Sequence, residues 1–131
     1  MTDQQLQQFQ QQLSQFQACI DACLACARAC EECAAACLRE QSVGELTRCI
    51  RMNLDCASFC FAAASLMARG SDYAQALCQL CADVCDACGA ECAEHSMSHC
   101  QACAQACKTC ANECRAMARG QPRQAQGTIA A

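Results

Sequence analysis

Tryptophan is absent from this 131-residue chain, proline occurs once, at Pro122, and lysine once, at Lys108. With no proline before residue 122, nothing upstream interrupts a helix by removing a backbone donor. Basic residues number 9 against 13 acidic ones, a net charge of −4. That balance supplies no basic patch, and phosphate neutralisation needs one, so no nucleic-acid partner is expected. No apolar run reaches about 18 residues, so no membrane span is expected. Residues Met1 to Gln17 are polar and glutamine-rich. They lack the basic and apolar regions of a secretory signal. The expectation is a cytoplasmic protein whose thiols stay reduced. Aromatics make up only 4% of the chain, and most of its 54% hydrophobic content is alanine and cysteine.

What the chain has instead is cysteine, 19 residues of it, set out on a helical ladder. Cys19, Cys23, Cys26, Cys30, Cys33 and Cys37 step by 4, 3, 4, 3, 4. Cys78, Cys81, Cys85, Cys88 and Cys92 step by 3, 4, 3, 4, and Cys100, Cys103, Cys107, Cys110 and Cys114 repeat that series. Cys49, Cys56 and Cys60 keep the same register, with Asn53 at the missing rung. Steps of 3 and 4 place side chains on one face of an α-helix. In an ordinary bundle that face carries leucine, isoleucine and valine. Here it carries thiols, so the core itself is the candidate functional site.

Four helical segments are predicted, over about Phe16–Arg39, Val43–Arg69, Asp72–Glu94 and Met97–Arg119. Ser42 and Glu45 form a capping-box pattern at the second segment. Gly70 stops that segment, and Ser71 is the candidate N-cap of the third. Gly120 and Pro122 end the fourth. Short connections force neighbours antiparallel. The expected fold is all-α: an antiparallel up-down-up-down four-helix bundle with a cysteine-lined core. The apolar register running back through Phe9 allows an extra N-terminal helix. The chain divides into a Gln-rich segment, 1–15, the cysteine-rich bundle, 16–119, and a tail, 120–131, expected to be flexible. The third and fourth segments match step for step, as an internal repeat does. Residues between the rungs are mainly alanine, which favours helix and lets helices approach closely. Asn53 on the seam is read as a residue that sets helix register by hydrogen bonding. Leu24, Ile50, Leu54, Phe61, Leu80 and Val84 face outward and exceed what a monomer needs, which marks them as candidate subunit contacts.

Several chemistries use many cysteines. Disulfides fit poorly: nineteen is an odd number, the expected compartment is reducing, and bridged Cα atoms must lie within about 7 Å while bundle axes are about 8–10 Å apart. Thioredoxin-like exchange needs a βαβ context, and no strand is read. Bacterial ferredoxins use C-x2-C-x2-C-x3-C-P, whereas the spacing here is C-x3-C-x2-C-x3-C without the proline. Zinc takes four ligands, most often from paired loops, though a bundle can assemble tetrahedra across helices. Soft thiolates select Cu(I), which tolerates low coordination. Cysteines at i and i+4 lie about 5–6 Å apart at Cβ, a gap that a near-linear S–Cu–S unit spans. If each thiolate bridges two ions, the ratio is roughly one Cu(I) per cysteine, or about 19 ions. One monovalent cation per thiolate leaves the core neutral, whereas unpaired buried thiolates are very costly. A zinc reservoir and an Fe–S or thiol redox protein remain as alternatives.

The ladder from Cys19 to Cys37, the stretch Cys49-Ile-Arg-Met-Asn-Leu-Asp-Cys56, the cluster His95 to Cys103 and the final ladder to Cys114 together resemble the bacterial four-helix-bundle copper storage proteins, in particular their cytosolic branch. The resemblance covers about residues 16 to 118. It implies storage of many Cu(I) ions by thiolates lining the bundle, commonly in a homotetramer. No residue set in the sequence resembles a nucleophile–base pair or a substrate cleft, so the expectation is a storage protein and not an enzyme. Copper ions, delivered by a copper chaperone, are the expected partners. Extending the seam beyond the cysteines separates the two ends of the bundle. One end receives Phe16, Met67, Ala74 and Met117, an apolar plug. The other receives His95 in register, beside Met97 and His99, and is the expected mouth. The candidate metal ligands are the nineteen cysteines with His95 and His99. The histidines and Met97 at the mouth would pass Cu(I) to Cys37, Cys49, Cys92 and Cys100.

Overall fold

A computed structural model of the chain describes residues 1–120, all-helical and without a strand among the described residues. The expected tail and the stop at Pro122 lie outside them. Five α-helices follow one another: α1 (Asp3–Ser14), α2 (Gln17–Cys37), α3 (Thr47–Ala68), α4 (Ala74–Ala93) and α5 (Ser98–Ala118). A 3-10 turn, Val43–Glu45, precedes α3. Helices α2 to α5 form the bundle, each packed on the next and α5 returning to α2. Cross-helix sulfur pairs fix the antiparallel sense. Cys23 near the start of α2 meets Cys114 near the end of α5, and Cys49 near the start of α3 meets Cys92 near the end of α4.

Each bundle helix buries the same stripe. Its large members are cysteines, and its flanks are alanines such as Ala27, Ala57, Ala82 and Ala111, none more than 1% exposed. The inner side chains are small, so the helices draw close. At Gly89, a Cβ added to α4 would stand 3.2 Å from the Cys107 Cβ of α5. The outer faces carry charge. Arg115 of α5 bridges Asp83 and Asp86 of α4, and Arg28 pairs with Glu32 along α2. One end of the bundle closes on Met67, Ala74 and Met117, all buried, with Phe16 partly buried against them.

The Gln-rich segment forms its own helix. Thr2 and Gln5 cap α1 reciprocally: Gln5 N–H donates to Thr2 Oγ1 at 3.1 Å and Thr2 N–H donates to Gln5 Oε1 at 2.8 Å. Leu6, Phe9 and Leu13 share one face of it. Phe9 and Leu13 reach the α3–α4 turn at the plugged end, where a Cβ on Gly70 would lie 3.3 Å from Phe9 Cε1 and 3.2 Å from Leu13 Cδ2. Two predicted helix starts are corrected. The Ser42–Glu45 pattern makes no side-chain cap, and α3 begins only at Thr47. Leu46 explains the delay: it is 1% exposed, and burying it at the end of the core holds the backbone at φ −108°, ψ 6°, outside the helix. Ser71 accepts a hydrogen bond from Tyr73 N–H at 3.1 Å, a local turn, and α4 starts at Ala74 rather than Asp72.

Gly70 ends α3 in the left-handed region, φ +65°. Its N–H donates to Met67 C=O and the Ser71 N–H to Leu66 C=O, so the last carbonyls of the helix are satisfied. A side chain there meets both backbone strain and the α1 contact. Gly70→Ala is expected to destabilise the protein by about 1–2 kcal/mol, measured by denaturant unfolding of the reduced, metal-free protein. The α1 amides should also exchange faster with solvent.

Candidate metal centre

All nineteen cysteines are buried, none more than 1% exposed, and all are free thiols. Their sulfurs form an almost continuous thread along the bundle axis. From the plugged end, Cys114 lies 3.7 Å from Cys19 and 3.5 Å from Cys23, and Cys110 lies 3.6 Å from Cys23. Cys60 then touches Cys110 at 3.8 Å, Cys81 at 3.8 Å and Cys85 at 3.7 Å. Cys56 lies 3.6 Å from Cys85 and 3.9 Å from Cys26, and Cys26 is 3.7 Å from Cys107. Cys30 continues the thread to Cys107 at 3.9 Å and Cys103 at 3.6 Å. At the far end Cys49 meets Cys92 at 3.7 Å, and Cys100 meets Cys33 at 3.8 Å and Cys37 at 4.0 Å.

Asn53 occupies the missing rung and is 0% exposed. Its Oδ1 accepts from the thiols of Cys88, Cys92 and Cys103 at 3.1, 3.3 and 3.2 Å, and its Nδ2 donates to Cys49 Sγ at 3.6 Å. The amide is thereby satisfied wholly by sulfur and ties α3, α4 and α5 at one level. A buried amide with a partner on each side resists slippage of one helix past another, in line with the register role read for it.

The histidines at the second end divide. The register argument puts His95 on the seam three residues beyond Cys92, but α4 ends at Ala93 and the chain has left the helix by then. His95 instead meets Glu91 Oε2 through Nε2 at 2.8 Å, and the same carboxylate takes Arg48 at 3.0 Å. His99, one residue off the seam in the first turn of α5, is the ring that reaches the thiols. Its Nδ1 lies 3.4 Å from Cys33, 3.6 Å from Cys100 and 4.0 Å from Cys37. Its Nε2 lies 3.2 Å from Glu40 Oε1. Register alone could not find this contact, because a long side chain in a first turn can point back across the end of the bundle. Leu46, which is buried near this end, and Glu40 were both missed in the sequence.

Protonation follows from burial and neighbours. Burial pushes the Cys37 thiol up to about 12, helped by the charges of Cys33 and Cys49. Cys49 and Cys100 are raised, with burial again the leading cause. Deeper in, Cys110 and Cys107 are raised by neighbouring thiols and by burial. While they hold their protons, these raised thiols behave as a small apolar filling. For His99, burial works against the charged ring, but hydrogen bonds with Cys33 and Glu40 outweigh it and raise its pKa above the ordinary value.

The donor set is all soft sulfur, with one imidazole at the end. Groups whose ligand atoms all lie within 4.8 Å of one another include Cys23, Cys81, Cys110 and Cys114; Cys26, Cys60, Cys85 and Cys110; Cys26, Cys30, Cys56 and Cys107; Cys30, Cys88, Cys103 and Cys107; and Cys33, Cys37, His99 and Cys100. Such a set suits a soft, thiophilic cation. No helix among the described residues is long and apolar enough to cross a membrane.

The chain is similar to known proteins. The Cu(I)-bound copper storage protein BsCsp3 of Bacillus subtilis is 47% identical with a TM-score of 0.77, over 79% of this chain and 98% of that one. A cytosolic copper storage protein from Streptomyces lividans, solved during copper loading with five coppers, is 43% identical with a TM-score of 0.79, over 83% of this chain and 96% of that one. An uncharacterized cysteine-rich protein of Bacillus subtilis (strain 168) is 48% identical over 58 residues, which span 44% of this chain and about half, 54%, of that relative. The family profile described as "Csp: Copper storage protein" matches residues 12–119, so the chain belongs to the copper storage protein family.

Proposed function

We propose that this protein stores Cu(I) in its thiol core, at roughly one ion per cysteine, as a reservoir and not as an enzyme. The observation that carries the reading is the sharing of sulfurs between neighbouring groups. Cys26, Cys30, Cys107 and Cys110 each belong to two of them. Separate zinc sites need four private ligands each, whereas Cu(I) accepts few ligands and thiolates bridge between ions. Charge points the same way. A monovalent ion for each thiolate keeps the core neutral, and a divalent ion at that ratio would leave a large positive charge in a low-dielectric interior.

Copper enters at the end of the bundle that carries His99, Cys33, Cys37 and Cys100. The opposite end is filled by Met67 and Met117, both buried. The nineteen thiols take the metal, His99 contributes at the mouth, and His95 serves beside it with Glu91 and Arg48. A copper chaperone delivers the ion. The protein works in the cytoplasm, as the Streptomyces relative does. It assembles as a homotetramer through Leu24, Leu54, Phe61 and Leu80, which are 45–49% exposed, whereas Ile50 and Val84, grouped with them in the sequence, are partly buried against the core.

Anaerobic titration of the fully reduced protein with Cu(I), against a competing chelator, tests the reading. Saturation is expected near 19 ions, one for each cysteine, with helicity unchanged; saturation at a few ions would refute it, and one divalent ion per four cysteines would favour zinc. Cys85→Ser and Cys107→Ser should each remove about one to two ions of capacity, since each thiolate bridges a small number of ions, and should leave the helical signal intact. Loading must displace thiol protons. Apparent affinity should therefore rise about tenfold per pH unit for each proton released per ion.

The metal-free fold carries a pH signature of opposite sense. The Cys37 thiol is raised from its ordinary value of 9.0 to about 12, so the folded chain holds that proton more tightly than the unfolded one. Its contribution to stability is complete below pH 9 and is lost as pH climbs toward 12. Denaturation midpoints of the metal-free protein should fall across that range. Those of the copper-loaded protein, whose thiolates have no proton left to lose, should stay level.

A further inference from the structure

We propose that Glu40 is a positioning residue for copper admission: its carboxylate holds the neutral His99 ring in the Nε2–H tautomer, which turns the Nδ1 lone pair toward Cys33, Cys37 and Cys100. The admission role rests on the copper reading above; the tautomer does not.

His99 Nε2 lies 3.2 Å from Glu40 Oε1. A carboxylate can only accept, so Nε2 carries the hydrogen. A neutral imidazole has a single N–H, which leaves Nδ1 as an acceptor. That atom sits 3.4 Å from Cys33 Sγ and 3.6 Å from Cys100 Sγ. In the metal-free protein a thiol donates to it. Once the thiols have given up their protons, the same lone pair is open to Cu(I). The other tautomer would aim an N–H at the sulfurs and offer a cation nothing. Outer hydrogen bonds of this kind commonly set the orientation and basicity of a metal-binding histidine.

The backbone delivers Glu40 to this place. Its N–H donates to Cys37 C=O at 3.1 Å, and its C=O accepts from Val43 N–H at 3.2 Å. The turn that ends α2 just past Cys37 therefore carries the carboxylate across to α5. His95 is also held through Nε2, by Glu91 at 2.8 Å, but that carboxylate is shared with Arg48. Two similar imidazole–carboxylate pairs thus sit at one end of the bundle, and the one made by Glu40 orients a ring onto thiols.

Nitrogen-15 NMR of the metal-free protein, at a pH where the ring is neutral, reads the tautomer directly. The expected result is a pyrrole-like Nε2 and a pyridine-like Nδ1 in the wild type. Glu40→Gln should keep that pattern, because its amide oxygen still accepts, and Glu40→Ala should give a mixture. Cu(I) offered as its bicinchoninate complex should transfer about tenfold more slowly to Glu40→Ala. Glu40→Gln should load at near the wild-type rate, and all three proteins should reach the same final capacity. Glu40 lies in a connection, so circular dichroism should be the same for all three. A proton on Nδ1 in the wild type would overturn the proposal. So would an unchanged tautomer in Glu40→Ala, or wild-type transfer by Glu40→Ala despite a changed tautomer. A wild type that takes up no Cu(I) would overturn the storage reading, and the admission role with it, whatever the tautomer shows.

Discussion

A thiol fills a core as a small apolar group while it keeps its proton and becomes a soft anionic ligand when it loses it. Burying nineteen of them makes that exchange the constraint on which the rest of this structure depends. An isolated buried thiolate costs on the order of several kcal/mol. The bundle therefore has two consistent states, one with every sulfur protonated and one with the charge neutralised by metal. Raised pKa values at Cys37, Cys49 and Cys100 are the local expression of that constraint, with burial as the leading cause at each.

The surroundings of the thiols serve the same end. Small flanking residues let the four helices close around a narrow axis, and Gly89 marks how near α4 and α5 come. Asn53 is the one buried polar residue among the described residues, and its amide is completed by four cysteines. It keeps the helices in step without introducing a charge that would compete with the metal. The two ends then divide the work. Methionine and alanine seal one, with α1 laid over the neighbouring turn, while imidazole and carboxylate groups gather at the other.

Much of this was legible in the residues. Steps of 3 and 4 between cysteines can be satisfied only by a helix with a thiol face, and four such faces with short connections have one economical packing. The family resemblance carried by the same ladders is borne out by the copper storage profile over residues 12–119. Less was legible at the margins of the helices. The Ser42–Glu45 pattern has the form of a capping box, yet burial of Leu46 outweighed it and delayed α3. The cap that does form, Thr2 with Gln5, was not read in the sequence, although the helix it starts is the one that the register through Phe9 allowed. His95 lies in seam register and His99 does not, yet the side chain at the thiols is that of His99.

The sequence by itself determined the helices, their inner faces and the chemistry of the core, because a period of 3.6 residues is a local property and nineteen thiols on it leave few uses. The tertiary structure alone decided which sulfurs are shared between neighbouring groups, which histidine reaches them and which carboxylate holds that histidine. Those depend on how helix ends terminate and how side chains cross between helices that are distant in sequence, as Glu40 and His99 are. Local periodicity carries no information about such crossings; they are set by the packing of all four helices together.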